Sequence, residues 1–170
     1  VLQDLLHIRR TRFLWNSRAF ERLAFSNYDT AERRFRIRID FAADFADIFE
    51  VRGSVRPRRG RQHPAEVGDD AVTLAYTGLD DGLRETRLHF EPAPTRIAGD
   101  FAEFDLPSPP VTRQTVFLEI RCGPGYGARA PRAAFFAGFR EARRALRASA
   151  SRAAAIASSN ELFNETMRRS

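Results

Sequence analysis

From residue 5 to residue 121 apolar and polar positions alternate in short runs. That period of two marks strands with one buried and one wet face. Phe35, Ile37, Ile39 and Phe41 are apolar, and Arg36, Arg38 and Asp40 between them are charged. Leu23-Ala24-Phe25, Val72-Thr73-Leu74-Ala75-Tyr76 and Arg87-Leu88-His89-Phe90-Glu91 repeat the pattern. Val116, Leu118 and Ile120 continue it, and Leu6 and Ile8 begin it. Turn residues at Asn27-Tyr28-Asp29-Thr30 and Gly78-Leu79-Asp80-Asp81-Gly82 read as hairpin connections. Pro92, Pro94, Pro107, Pro109 and Pro110 are expected outside central strands. One-face alternation favours antiparallel pairing. The pattern therefore predicts a mainly β chain, an antiparallel β-sandwich of about seven to nine strands.

The pattern changes after Cys122. Gly123-Pro124-Gly125-Tyr126-Gly127 is a breaker cluster and an expected domain edge. Residues 131–157, rich in Ala and Arg, predict an amphipathic helix that starts at Pro131. Phe135, Phe139, Ala142, Leu146 and Ala150 share its apolar face, and docking through Phe135, Phe139 and Leu146 is expected. That face needs a partner: the sandwich, another domain or a second copy of the chain. A second helix is expected near Ser159, with Ser158 and Glu161 as a capping box and Leu162, Phe163 and Met167 as its stripe. The fold class is thus a sandwich with a C-terminal α-helical extension.

Size and charge narrow the function. A chain of 170 residues suits one domain with a sizeable core. No run approaches the ~18 apolar residues that a membrane span needs. All 28 basic residues are arginine, and the net charge is +6. Five of the arginines fall within residues 52–61, but no aromatic residues interleave with them. A solvated, mobile loop is expected there rather than a nucleic-acid surface. The single Cys122 excludes an internal disulfide and fits a reducing, cytoplasmic setting. His7, His63 and His89 lack the spacing of a metal site, and His7 and His89 lie in strand patterns as expected solvent-face residues. No phosphate-binding glycine loop and no G-x-S-x-G turn occurs, so neither metal nor cofactor is expected.

The chemistry concentrates in Phe41-Ala42-Ala43-Asp44-Phe45-Ala46-Asp47-Ile48-Phe49-Glu50-Val51-Arg52-Gly53. On a helical turn Asp44, Asp47 and Glu50 share one face beside an apolar stripe of Phe45, Ile48 and Phe49. Carboxylates at that spacing are permissive for a glycosidase acid–base pair. The structural alternative has Asp44 capping the turn, the three apolar residues in the core, and Arg52 paired with Asp47 or Glu50. A third reading sets Asp44, Asp47, Glu50 and Arg52 against sugar hydroxyls, with Trp15, Phe49 and Tyr76 as stacking faces.

The same run resembles the "DFaDiFEvRG" segment of bacterial glycogen debranching enzymes of the amylo-alpha-1,6-glucosidase type. Leu6-His7-Ile8-Arg9-Arg10-Thr11-Arg12 is similar to that family's "L-x-I-x-R-x-R" strand. Glu21-Arg22-Leu23 with Ser26-Asn27-Tyr28 is similar to its "E-R-l … N-y" strand and turn. Tyr76-Thr77-Gly78-Leu79-Asp80-Asp81-Gly82 with Arg84-Glu85-Thr86 resembles its "Y-x-G-l-D-g-x-x-R-x-T" hairpin. Ser159-Asn160-Glu161-Leu162-Phe163-Asn164 with Arg168-Arg169-Ser170 resembles the start of the first helix of its catalytic barrel.

The resemblance implies a supersandwich-like accessory domain over 1–123, a linker and helix over 124–158, and the opening of an (α/α) barrel over 159–170. It places the catalytic acids in that barrel, so no catalytic residue is expected in this chain. It implies two partners: the barrel itself, and glycogen or another alpha-glucan. The alternative is a free-standing carbohydrate-binding sandwich.

Overall fold

The computed structural model describes residues 5–123, 129–150 and 158–169. Ten strands and three helices follow one another among them. They are β1 (Leu6–Trp15), β2 (Arg18–Asn27), β3 (Arg33–Asp40), α1 (Ile48–Val51), β4 (Arg61–Gln62), β5 (Glu66–Val67), β6 (Ala71–Thr77), β7 (Leu83–Glu91), β8 (Arg96–Ile97), β9 (Phe101–Ser108), β10 (Arg113–Cys122), α2 (Pro131–Ala150) and α3 (Glu161–Arg169). All pairings are antiparallel. Seven strands form one sheet, in the order β1-β2-β10-β7-β6-β4 with β5 also on β6, and β3-β9-β8 form the other.

The core joins the two sheets. Phe25, Val72, Leu88, Phe90 and Val116 from the large sheet meet Phe35, Ala102 and Phe104 from the small one. Phe90 and Phe104 cross edge to face at 5.8 Å, the arrangement that ring quadrupoles favour. In β3 the alternation is realised: Phe35 is buried, Ile37 and Ile39 are half-buried, and Arg34, Arg36 and Arg38 face water. The expected antiparallel sandwich is present.

Two connections differ from expectation. The Gly78–Gly82 turn does join the β6–β7 hairpin. Asn27–Thr30 instead carries the chain from the large sheet to the small one. Asn27 is fully buried there, and its amide donates to the carbonyls of Ser108 (2.9 Å) and Ala31 (3.0 Å). The unexpected hairpin is β1–β2, closed by Asn16 and Ser17 at φ 47° and 57°. Two positive φ values match the right-handed twist of paired strands. Strand β9 was also not foreseen, and Pro107 lies inside it. It pairs there with Arg34 of β3, beyond the reach of the short β8, so its missing N–H orphans no partner on that side.

Helix α2 packs on the outer face of the large sheet. Phe20, Phe117, Ala134 and Phe135 form a second buried cluster, with Phe13 and Trp15 at its margin. Burying a ring such as Phe135 contributes about 1.5–3 kcal/mol. Gly138 permits the close approach, because a Cβ there would lie 3.1 Å from Phe20. The sandwich is therefore the partner of this helix, through Phe135 and a half-buried Phe139. Leu146 is 71% exposed and takes no part in the docking, against expectation. The expected continuation over residues 151–157 and most of the breaker cluster, 124–127, lie outside the described residues. Helix α3 is capped by Asn160, whose Oδ1 accepts from Phe163 N at 3.1 Å, rather than by Ser158. Ser158 instead accepts from Asn160 N, two residues before the cap.

Candidate functional site: the acidic turn and its arginine clamp

The 41–53 run leaves β3 without regular structure and turns helical only over Ile48–Val51. Asp44 therefore does not share a helical face with Asp47 and Glu50. It makes a local turn of its own, its Oδ1 accepting from Ala46 N at 3.0 Å. The cap of α1 is Asp47. Its Oδ1 accepts from Phe49 N (2.8 Å) and Glu50 N (2.9 Å), while Glu50 Oε2 accepts from Asp47 N (2.9 Å). This is a complete capping box. At the other end Gly53, at φ 96°, donates to Glu50 O, and Ser54 donates to Phe49 O. Those two bonds close the helix as a Schellman motif, which the left-handed glycine makes possible.

Charge balance comes from the loop and not from Arg52. Arg56 Nε donates to Asp47 Oδ2 at 3.0 Å, and Arg59 Nε pairs with Glu50 Oε1 at 3.1 Å. Arg59 also donates to the carbonyl of Asp44. Arg52 serves through its backbone, as the last turn of α1. The reason is geometric: the two acids use their backbone-facing oxygens for the cap, and the remaining oxygens face the returning loop. The expected loop of residues 52–61 is exposed over 52–59, but Arg56 and Arg59 are anchored and Arg61, in β4, pairs with Thr77. Bonds from the Glu50 and Phe49 amides and from Arg56 hold the Asp47 carboxyl below its ordinary range. A catalytic general acid needs the opposite shift.

The apolar stripe divides. Phe45, at φ 50°, turns inward and stacks on Tyr76 at 5.4 Å with the ring planes 11° apart. The Tyr76 hydroxyl accepts from Gly60 N at 2.6 Å, and Arg59 lies over the ring at 6.0 Å. Ile48 and Phe49, expected in the core, point outward at 57% and 56% exposure. Val51 and Val55 join them, so four large apolar side chains within eight residues meet water. Arg56 lies 5.6 Å from the Phe49 ring and rims the patch.

The structure thus brings together Asp47, Glu50 and Tyr76 around one shallow cavity of about 290 Å³, with Arg56, Arg59, Asp80 and Arg84. Trp15 stands apart at the margin of α2, where its Nε1 donates to Glu141 Oε2 at 3.1 Å. Arg56 and Arg59 were missed as site residues. Their signal was present in sequence, as a run of arginines that directly follows a run of acids. His89 was placed on a solvent face, but it is half-buried and its Nε2 meets Asp70 Oδ2 at 3.2 Å. Among the described residues no group of histidine, cysteine and carboxylate side chains is arranged to hold a metal ion.

A family model described as the N-terminal domain of (some) glycogen debranching enzymes matches residues 1–119. No curated protein matches the chain. Among solved structures, a chain titled "Putative kojibiose phosphorylase from human microbiome" is similar at a TM-score of 0.50 and 10% identity. The likeness covers 82% of this chain and 19% of that one, and it concerns the fold alone. A chain titled "Polysaccharide Lyase BACCELL_00875" aligns over 74% of this chain and 21% of its own, at a TM-score of 0.44 and 14% identity. This chain thus spans about a fifth of the length of each. It belongs to the family of N-terminal domains of glycogen debranching enzymes.

Proposed function

We propose that this member of the debranching-enzyme N-terminal family is an accessory domain of an enzyme that hydrolyses alpha-1,6 branch points of glycogen. In this reading residues 1–123 are the accessory domain, 124–158 connect it, and 159–170 open the first helix of a catalytic (α/α) barrel. The domain packs on that barrel and shapes its substrate groove. A cytoplasmic setting belongs to the same reading, and the lone exposed thiol of Cys122 fits it.

One observation carries the proposal: the rigid, water-facing patch of Ile48, Phe49, Val51 and Val55. A contiguous exposed apolar patch with a polar rim is what an interface looks like before its partner is seated. Here a capping box, a Schellman closure and two ion pairs hold it in shape without any help from burial. The exposed Leu162 and Phe163 of α3, at 76% and 44%, support a partner in the same way. The acids of the turn are committed to structure, so the catalytic acids are assigned to the barrel.

The test is made in the parent enzyme. Ile48→Ser with Phe49→Ser should leave the unfolding midpoint of this chain unchanged, because both side chains are already in water. The parent should lose thermal stability, an interface anchor being worth roughly 1–2 kcal/mol, and should turn over a branched oligosaccharide more slowly. Unchanged stability and turnover would remove the patch from the interface.

A further inference from the structure

A second cavity, of about 400 Å³, lies where the β1–β2 hairpin, the end of β10 and helix α2 converge. That volume falls in the ~300–1,000 Å³ range of small-ligand sites. Trp15 forms part of its wall, and its indole N–H is steered by Glu141 Oε2 at 3.1 Å. Across from α2 lies Glu119, whose side chain is 4% exposed. Arg18 pairs with it at 3.1 Å and Arg121 at 3.6 Å. Arg129 adds a third guanidinium. Besides Glu141 the helix contributes Ala134, Ala137 and Gly138, whose small side chains leave the floor open.

We infer that this cavity binds a neutral polyhydroxylated ring, the terminal sugar of an alpha-glucan, with Trp15 as the stacking face and Glu141 and Arg129 as hydroxyl partners. The lining carries three arginines and two glutamates. An anion would meet two carboxylates, and a cation would meet three guanidinium groups. A hydroxyl both donates and accepts, so a ring bearing adjacent hydroxyls satisfies guanidinium and carboxylate together. An indole face complements the C–H face of such a ring while its polar N–H stays bonded. Glu119 needs no ligand, because Arg18 and Arg121 neutralise it. Their pairing fixes one wall before anything binds, which lowers the ordering cost of binding. The cavity chemistry asks only for a polyol; the choice of glucan rests on the function proposed above.

The chain has a single tryptophan, so indole emission reports on the surroundings of Trp15. Titration with maltoheptaose should give a saturable change in that emission and heat of binding by calorimetry. Glucose, as a single terminal unit, should compete with maltoheptaose, and its failure to compete would overturn the terminal-sugar assignment. Glu141→Ala and Arg129→Ala, both exposed side chains, should weaken binding by about tenfold each, as loss of a hydrogen bond to a charged group does. Arg36→Ala, on the solvent face of β3, should leave it unchanged. Absence of both signals overturns the site, as does an equal response to inorganic phosphate. Parental affinity in Glu141→Ala and Arg129→Ala overturns it as well. A negative titration beside impaired parent turnover in the Ile48/Phe49 variant fells this cavity only. A positive titration with a parent inactive on alpha-1,6 linkages fells the debranching reading only.

Discussion

At the scale of single residues, proximity in sequence proved a poor guide to pairing. Arg52 is the nearest cation to Asp47 and Glu50 in the chain, yet Arg56 and Arg59 bind them. Arg52→Ala should therefore change stability by less than about 0.5 kcal/mol, as for other surface substitutions. Arg59→Ala removes the Glu50 pair and the contact over Tyr76 and should cost about 0.5–1 kcal/mol. Urea unfolding of both variants beside the parent chain measures the difference; a larger loss for Arg52→Ala would return that residue to a structural role. The β1–β2 turn offers a gain. Ser17 holds a left-handed conformation, φ 57°, that suits glycine better. Ser17→Gly should raise stability by up to about 1 kcal/mol, read as a higher urea midpoint. An unchanged or lower midpoint would show that the serine is not strained there.

At the scale of elements, α1 is a helix of four residues with no buried side chain. Its persistence depends on its caps, since an isolated turn of that length does not hold in water. The Asp47 carboxyl titrates below its ordinary range because it accepts from the Glu50 and Phe49 amides and from Arg56. A carboxyl whose folded value is depressed adds stability that is present above its unfolded value, near 3.9, and fades as the pH falls through the folded one. α1 should thus open below about pH 4, and the amide signals of Phe49 and Glu50 followed from pH 6 to pH 2 will show it. Glu21 moves in the same direction: burial pushes it up, but hydrogen bonds from Arg10 and Arg12 outweigh burial. The β1–β2 pair should weaken in the same window. Capped-helix signals that persist at pH 2 would mean that the capping box is not what holds the turn.

At the scale of the whole molecule, the sandwich is closed on its inner face and unfinished outside. The core joins both sheets, and half of α2 is docked. Its far half, with Leu146 exposed, and the patch on α1 face water. The carboxylates of the acidic turn are bound to caps and arginines, so the chain on its own should release no glucose from an alpha-1,6-linked oligosaccharide. Turnover that disappears in Asp47→Asn or Glu50→Gln would reverse that expectation. If the exposed faces wait for a barrel, the chain alone should remain monomeric in sedimentation at micromolar concentration. Self-association lost in a Leu146→Ser variant would show instead that the far half of α2 meets a second copy.

The sequence by itself determined most of the secondary structure where burial on one face enforces a period, although β9 escaped it despite burying Ala102 and Phe104. The alternation of Phe35 to Phe41, the Gly78–Gly82 hairpin and the amphipathic start of α2 could be read directly. Tertiary structure decided which strands share a sheet, because the Asn27–Thr30 turn has the same local chemistry whether it folds a hairpin or crosses between sheets. It also decided which acid meets which arginine, because ion pairs form between oxygens left over after backbone capping, and that remainder depends on how the loop returns. The outward turn of Ile48 and Phe49 was hidden for the same reason. Hydrophobicity predicts a need for contact, but only the packed core shows whether its own chain supplies that contact or leaves it to a partner.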